Sequence, residues 1–217
     1  MNDILDERQE PQTFTDIEIF TQIWIKPRQI LRYIHLNKYD KFVIILLIFA
    51  GITRAFNRAI EKDLGDTLPL LSIVGSCIVG GGLLGWITYY LYALLVSWTG
   101  RWLRGKGNTD SLMRVIAYAH IPSILALILF LPQIAFYGNE IFKSDGDLSS
   151  NGYLLEVIGY SSFIVQALLG LCTFIFFVIG IMEVQRFGIA KALLNILLPV
   201  LVVIVPIVIL VLIFSNF

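Results

Sequence analysis

Cysteine and histidine are almost missing, at two residues each in a chain of 217. Cys77 and Cys172 stand singly inside apolar runs, at no metal-ligand spacing and with no pattern of a disulfide framework. His35 and His120 cannot make a zinc protease, since no HExxH occurs. Aspartate is absent between Asp66 and Asp110 and after Asp147, which excludes a hydrolase built on paired intramembrane aspartates. Charge is also scarce: 15% of residues are charged, against about 25% in an average soluble domain. The 16 basic and 16 acidic residues cancel, so bulk charge points to no nucleic-acid partner. The first residues, MNDILDERQE, are polar and acidic, with no apolar stretch behind a basic start. The first hydrophobic helix is therefore expected to act as its own insertion signal.

What the chain has is apolar length. Hydrophobic residues make up 57% of it, and the run 68–98 contains no charge. About 20 apolar residues cross a bilayer as a helix. A membrane β-barrel needs alternation, which runs such as 196–214 do not show. The expected fold is all-α: a polytopic membrane bundle of five transmembrane helices behind an N-terminal amphipathic helical segment. The spans are expected at 41–58, 68–98, 112–136, 153–182 and 192–214.

Residues 1–13 are polar and read as disordered. Thr15 and Glu18 have capping-box spacing, and Phe14 and Ile19 that of a hydrophobic staple. Phe20, Ile23, Trp24, Ile30, Leu31 and Ile34 then recur at helical intervals, with Lys26, Arg28 and Arg32 between them. Pro27 suits the first turn of a helix, so 14–40 reads as two short helices meeting near Lys26. They lie in the membrane interface or pack on the bundle; periodicity alone does not separate the two. In the second span, Gly80, Gly81, Gly82 and Gly85 offer a place to bend. Ser72, Ser76 and Gly80 form one small-residue stripe, and Cys77, Gly81 and Gly85 another, as close helix packing in lipid requires. Tyr89, Tyr90, Tyr92 and Trp98 are expected to form an interfacial aromatic belt.

Orientation follows from the turn GKGNTDSLMR. Arg101, Arg104, Lys106 and Arg114 stand there against Asp110, which makes it a cytoplasmic loop by the positive-inside rule. The basic residues from Lys26 to Lys41 agree, so the N-terminus is expected inside and the C-terminus outside. Arg114 precedes Pro122 by the same interval as Lys191 precedes Pro199. Spans two and three are therefore expected to repeat as four and five.

Two sets of candidate site residues emerge. Gly105, Lys106, Gly107 and Arg114, with Arg28 and Tyr118, are candidates for binding a protein or lipid at the inner face, the glycines for their conformational freedom. Arg54, Asn57, Arg58 and Glu156 are intramembrane polar candidates; the bland alternative is snorkelling or an Arg54–Glu156 pair. Gln133, Gln166 and Asn195 read as interhelical hydrogen bonds. Gly159-Tyr160-Ser161 resembles a serine nucleophile turn, but His120, the only membrane base, lies too far along the bundle. GKG lacks the frame of a phosphate-binding loop. No catalytic residue, metal site or cofactor is expected.

IWIKPR at 23–28, LRGKGNTDSLMRVIAYAHIP at 103–122 and GIMEVQRFGIAKALL at 180–194 resemble the Yip family, membrane proteins named for binding Rab-type GTPases. The resemblance implies a five-helix membrane domain, here 41–217, with the N-terminus cytoplasmic and the C-terminus not. The tyrosine–glycine–proline motif of trafficking members has no counterpart here, so GTPase binding is not carried over. The chain resembles the short, bacterial-type branch, which implies a bacterial cytoplasmic membrane, with a Golgi or ER membrane as the alternative. The function so implied is a non-enzymatic scaffold or adaptor whose basic cytoplasmic face recruits a protein or lipid. Membrane lipids, a peripheral cytoplasmic protein, other membrane proteins or a second copy are its partners. The rival is a small transporter, channel or lipid-handling protein, which would need a polar path through the bundle.

Overall fold

The computed structural model describes residues 13–146 and 152–215. The reading of 1–13 therefore falls outside the described residues, apart from Thr13. Eight α-helices follow one another: α1 Asp16–Gln22, α2 Pro27–Leu36, α3 Val43–Glu61, α4 Leu70–Trp102, α5 Thr109–Ala119, α6 Ile121–Tyr137, α7 Tyr153–Gln185 and α8 Ile189–Ser215. No strand occurs among the described residues. Five spans are long and apolar enough to cross a membrane: α3, α4, α5 and α6 together, α7, and α8.

Local chemistry sets the boundaries. Thr15 caps α1 in a complete capping box with Glu18. Pro27 opens α2, where its missing N–H costs nothing. Asn108 caps α5 through its side-chain oxygen, 2.9 Å from Ser111 N. The third span departs from expectation. It is broken at His120, because Pro122 in the first turn of α6 has no N–H to continue the ladder of α5. Pro132 stays inside α6. The second span is one continuous helix of 33 residues, about 50 Å long.

α1 and α2 pack on the bundle itself. Ile19, Ile23, Ile30, Leu31 and Ile34 are fully buried, in one core with Val115, Tyr118 and Ile181. This core lies at the end of the molecule that carries α1, α2 and the turns α4–α5 and α7–α8, called here the near face. A second core around Phe56, Ile73, Phe130 and Phe142 closes the far face. Between them, α3 and α4 touch backbone to backbone. A Cβ on Gly51 would stand 2.3 Å from Gly81 O and 2.5 Å from Gly85 Cα. The Cys77–Gly81–Gly85 stripe is thus the contact face, whereas nothing approaches Gly80 within 4 Å. Large apolar residues such as Leu71, Leu83 and Ile164 project outward, as a lipid-facing surface requires.

The aromatic belt needs correction. Tyr90, Trp98 and Trp102 face outward, but Tyr89 is buried and Tyr92 donates to Ile196 O at 3.1 Å. Tyr89 lies 13 residues, about 20 Å, from the near end of α4. It belongs to the interior of the bundle.

Candidate functional site

On the near face, the α4–α5 turn is fastened to the end of α7 by one buried side chain. Gln185, 1% exposed, accepts from Gly107 N at 2.9 Å, and its carbonyl accepts from Lys106 N at 3.4 Å. Its amide donates to Val96 O at 3.4 Å and Asn195 Oδ1 at 3.5 Å. Asn195 in turn donates to Val96 O and to Thr99 Oγ1, at 3.1 and 2.9 Å. The glycines owe their identity to this packing and not to an unusual φ. A Cβ on Gly105 would lie 2.2 Å from Gln185 Oε1, and one on Gly107 2.6 Å from Val184 Cγ1. Gln166 donates to Gln133 at 2.9 Å, so Gln133, Gln166 and Asn195 all make interhelical bonds.

Three helices on this face end in the same way. Tyr39 N reaches Ile34 O at 3.1 Å, Gly105 N reaches Gly100 O at 2.8 Å, and Phe187 N reaches Met182 O at 3.1 Å. These six-to-one bonds are Schellman caps of α2, α4 and α7. The left-handed position of each cap is held by a basic residue: Lys38 (φ 50°), Arg104 (φ 66°) and Arg186 (φ 57°). All three side chains are exposed, as is Lys106. None of the four has an ion-pair partner among the described residues.

The other expected cations are committed elsewhere. Arg28 pairs with Glu183 at 2.5 Å, and Arg114 with Asp40 at 2.5 and 3.2 Å. Lys41 pairs with Asp16, which also accepts from Tyr39 OH at 2.5 Å. These bonds, Lys41 first and Tyr39 second, hold the Asp16 carboxyl below its ordinary range. Burial, then the bond to Asp16, pushes Tyr39 up to about 12. Burial, and then Arg114 and Arg186, lower the pKa of His35, whose Nδ1 is buried without a hydrogen bond. Tyr118 is fully buried against Phe20 and Tyr39. It holds α1 on the bundle and presents nothing to a partner in solution.

The intramembrane candidates meet a different environment. Arg54, Asn57 and Arg58 line one cavity of 420 Å³ together with Tyr89, His120 and Thr173. Arg54, Tyr89 and His120 also line a cavity of 670 Å³ between α4, α7 and α8. Arg54, Arg58 and Tyr89 line a third of 350 Å³ along the α3–α4 seam. Arg54 is 11 residues into α3, about 16 Å from its near end. No carboxylate pairs with it among the described residues, and the Arg54–Glu156 bridge does not form. Glu156 sits partly buried in the first turn of α7, apart from these cavities. Even insertion scales set a central charge at about 3 kcal/mol, so an uncompensated guanidinium here needs a reason. Thr173 and Gln185 were not singled out in the sequence, and Tyr89 only as an interfacial aromatic; Thr173 lies singly in an apolar run, and Gln185 looked like part of a polar turn. Ser161 Oγ donates to Ile158 O at 2.9 Å, an ordinary helical back-bond.

A family model described as the Yip1 domain matches residues 21–210. No curated protein and no solved structure matches the chain.

Proposed function

The chain belongs to the Yip1 domain family of membrane proteins, and from that premise we propose that it is a non-enzymatic adaptor whose near face recruits a peripheral protein or lipid. One observation carries this reading: the three strained basic caps, Lys38, Arg104 and Arg186. A left-handed residue with a side chain costs about 1–2 kcal/mol, from which glycine is exempt. A cation at a helix C-terminus returns only about 0.3–1 kcal/mol. Stability alone therefore favours glycine at all three positions. Exposed cations retained there, beside Lys106 on a turn pinned by Gln185, form a preorganised basic surface, and preorganisation lowers the cost of binding.

This face is cytoplasmic in the proposal, as its charge bias requires. Cysteines at Lys106 and Gly188 should then be labelled only from the cytoplasm and one at Asp145 only from the other side, in a background without Cys77 and Cys172. The test of recruitment replaces Lys38, Arg104 and Arg186 together with glycine. The variant should be at least as heat-stable as the parent, because strain is removed, and should lose the partners cross-linked to the parent in its membrane. If every cross-linked partner remains at parental level, the residues are helix caps and nothing more.

A further inference from the structure

Cations outnumber acids around the cavities beside α3. Arg54 and Arg58, one helical turn apart on α3, share a face. Tyr89 and Thr88 of α4, and His120, Ser123 and Thr173 of the neighbouring helices, complete a polar ring around them. Among the described residues that line the three cavities, Glu61 is the acid, against Arg54, Arg58 and Lys62. His120 Nδ1 is committed to Ile116 O at 2.7 Å, so the guanidinium groups dominate what the ring offers an incoming ligand. The three cations outnumber Glu61, so the ring suits an anion.

The 670 Å³ cavity adds a second requirement. It runs from Arg54 to a mouth lined by Leu91, Phe174, Val200 and Ile204. These residues are 53%, 46%, 47% and 49% exposed and face the lipid side of α4, α7 and α8. A small inorganic anion makes no use of such a wall. At 670 and 420 Å³ the two cavities have the volume of ordinary ligand sites. An amphiphile with an anionic head and an apolar tail fits both parts at once, entering sideways from the bilayer. Guanidinium binds phosphate oxygens through paired N–H groups.

We propose that this crevice binds an anionic phospholipid, its phosphate held by Arg54 and Arg58 and one acyl chain lying in the apolar groove between α4, α7 and α8. The site is independent of the basic caps on the near face, more than two helical turns away along α4 and α7. The adaptor reading therefore stands or falls separately.

The test is native mass spectrometry of the full chain in mild detergent, titrated with phosphatidylglycerol, with phosphatidylcholine, and with inorganic phosphate as competitor. Phosphatidylglycerol should bind in a one-to-one complex that excess phosphate does not displace. R54Q/R58Q should weaken it by at least about tenfold, the scale of a lost charge-assisted bond, while K143Q, which lines none of these cavities, leaves it unchanged. Should R54Q/R58Q not fold, Val203→Trp tests the same site from its lipid-facing wall. It should reduce phosphatidylglycerol binding and leave the helical circular dichroism intact. Equal binding of both lipids, unaltered binding in R54Q/R58Q and V203W, or displacement by phosphate, which would mark a free-anion site, overturns the proposal.

Discussion

Gly105→Ala tests the account of the turn most directly. The new methyl would meet Gln185 Oε1 at 2.2 Å. The end of a glutamine side chain is normally free to swing away, but here it is buried and accepts from Gly107 N at 2.9 Å. Either the turn lifts off α7 or that bond breaks. Overpacking of this kind costs about 1–3 kcal/mol. For a chain of this length each kcal/mol lowers the unfolding midpoint by roughly 2–4 °C, so about 2 kcal/mol should appear as roughly 4–8 °C at a fixed scan rate. Gln185→Ala alone should cost about 1–3 kcal/mol, through an unsatisfied buried N–H and the lost bond to Asn195. The double variant discriminates. Shortening Gln185 to alanine removes the nearest group that the new methyl meets and leaves Phe187 Cζ at 2.8 Å, so G105A/Q185A should be more stable than the sum of the two losses by about 1 kcal/mol or more. Additivity within about 0.5 kcal/mol, or a G105A midpoint equal to the parent's, would refute the packing argument and return the glycines to a conformational role.

Three more predictions concern helix packing and pH. Gly51→Ala should separate α3 from α4 and reduce folded yield on size exclusion, because Gly81 O and Gly85 Cα are backbone and cannot yield. Gly80→Ala on α4 should be neutral or stabilising by up to about 1 kcal/mol, since nothing lies within 4 Å of it and alanine is the better helix former. His35 has its pKa lowered, chiefly by burial, so below the unfolded value of about 6.5 the unfolded chain binds more protons than the folded one. Its contribution is complete above that pH and is lost as pH falls towards the folded pKa. The unfolding midpoint should therefore drop on acidification from about pH 7 to about pH 5, and the drop should shrink in His35→Gln.

The spans were legible in the sequence because membrane crossing is a property of a single segment, set by apolar length. The capping box at Thr15 was legible for the same reason, since donor and acceptor lie within one turn. The break at His120 was missed although Pro122 was in view. A proline is compatible with either the interior of a kinked helix or the start of a new one, and the neighbouring helices decide between them. The site was less legible still. That Arg54 lies against Tyr89, His120 and Thr173 depends on how four separate segments pack. The interfacial or bundle-packed character of α1 and α2 was open for a similar reason, because both require the same amphipathic stripe. Lys38, Arg104 and Arg186 gave no sign of their left-handed conformation, for which a sequence normally shows glycine.

The crossing of Gly51 with Gly81 and Gly85 has a consequence for how such a protein changes over generations. A contact between side chains has many neighbouring solutions, in which a loss on one helix is compensated by a gain on the other. A contact made of main chain has none, because each partner is already the smallest residue there is. Variation at this crossing can only break it, never retune it. Drift in the rest of the molecule is therefore measured from this one fixed point, with α3 and α4 inherited as a single piece.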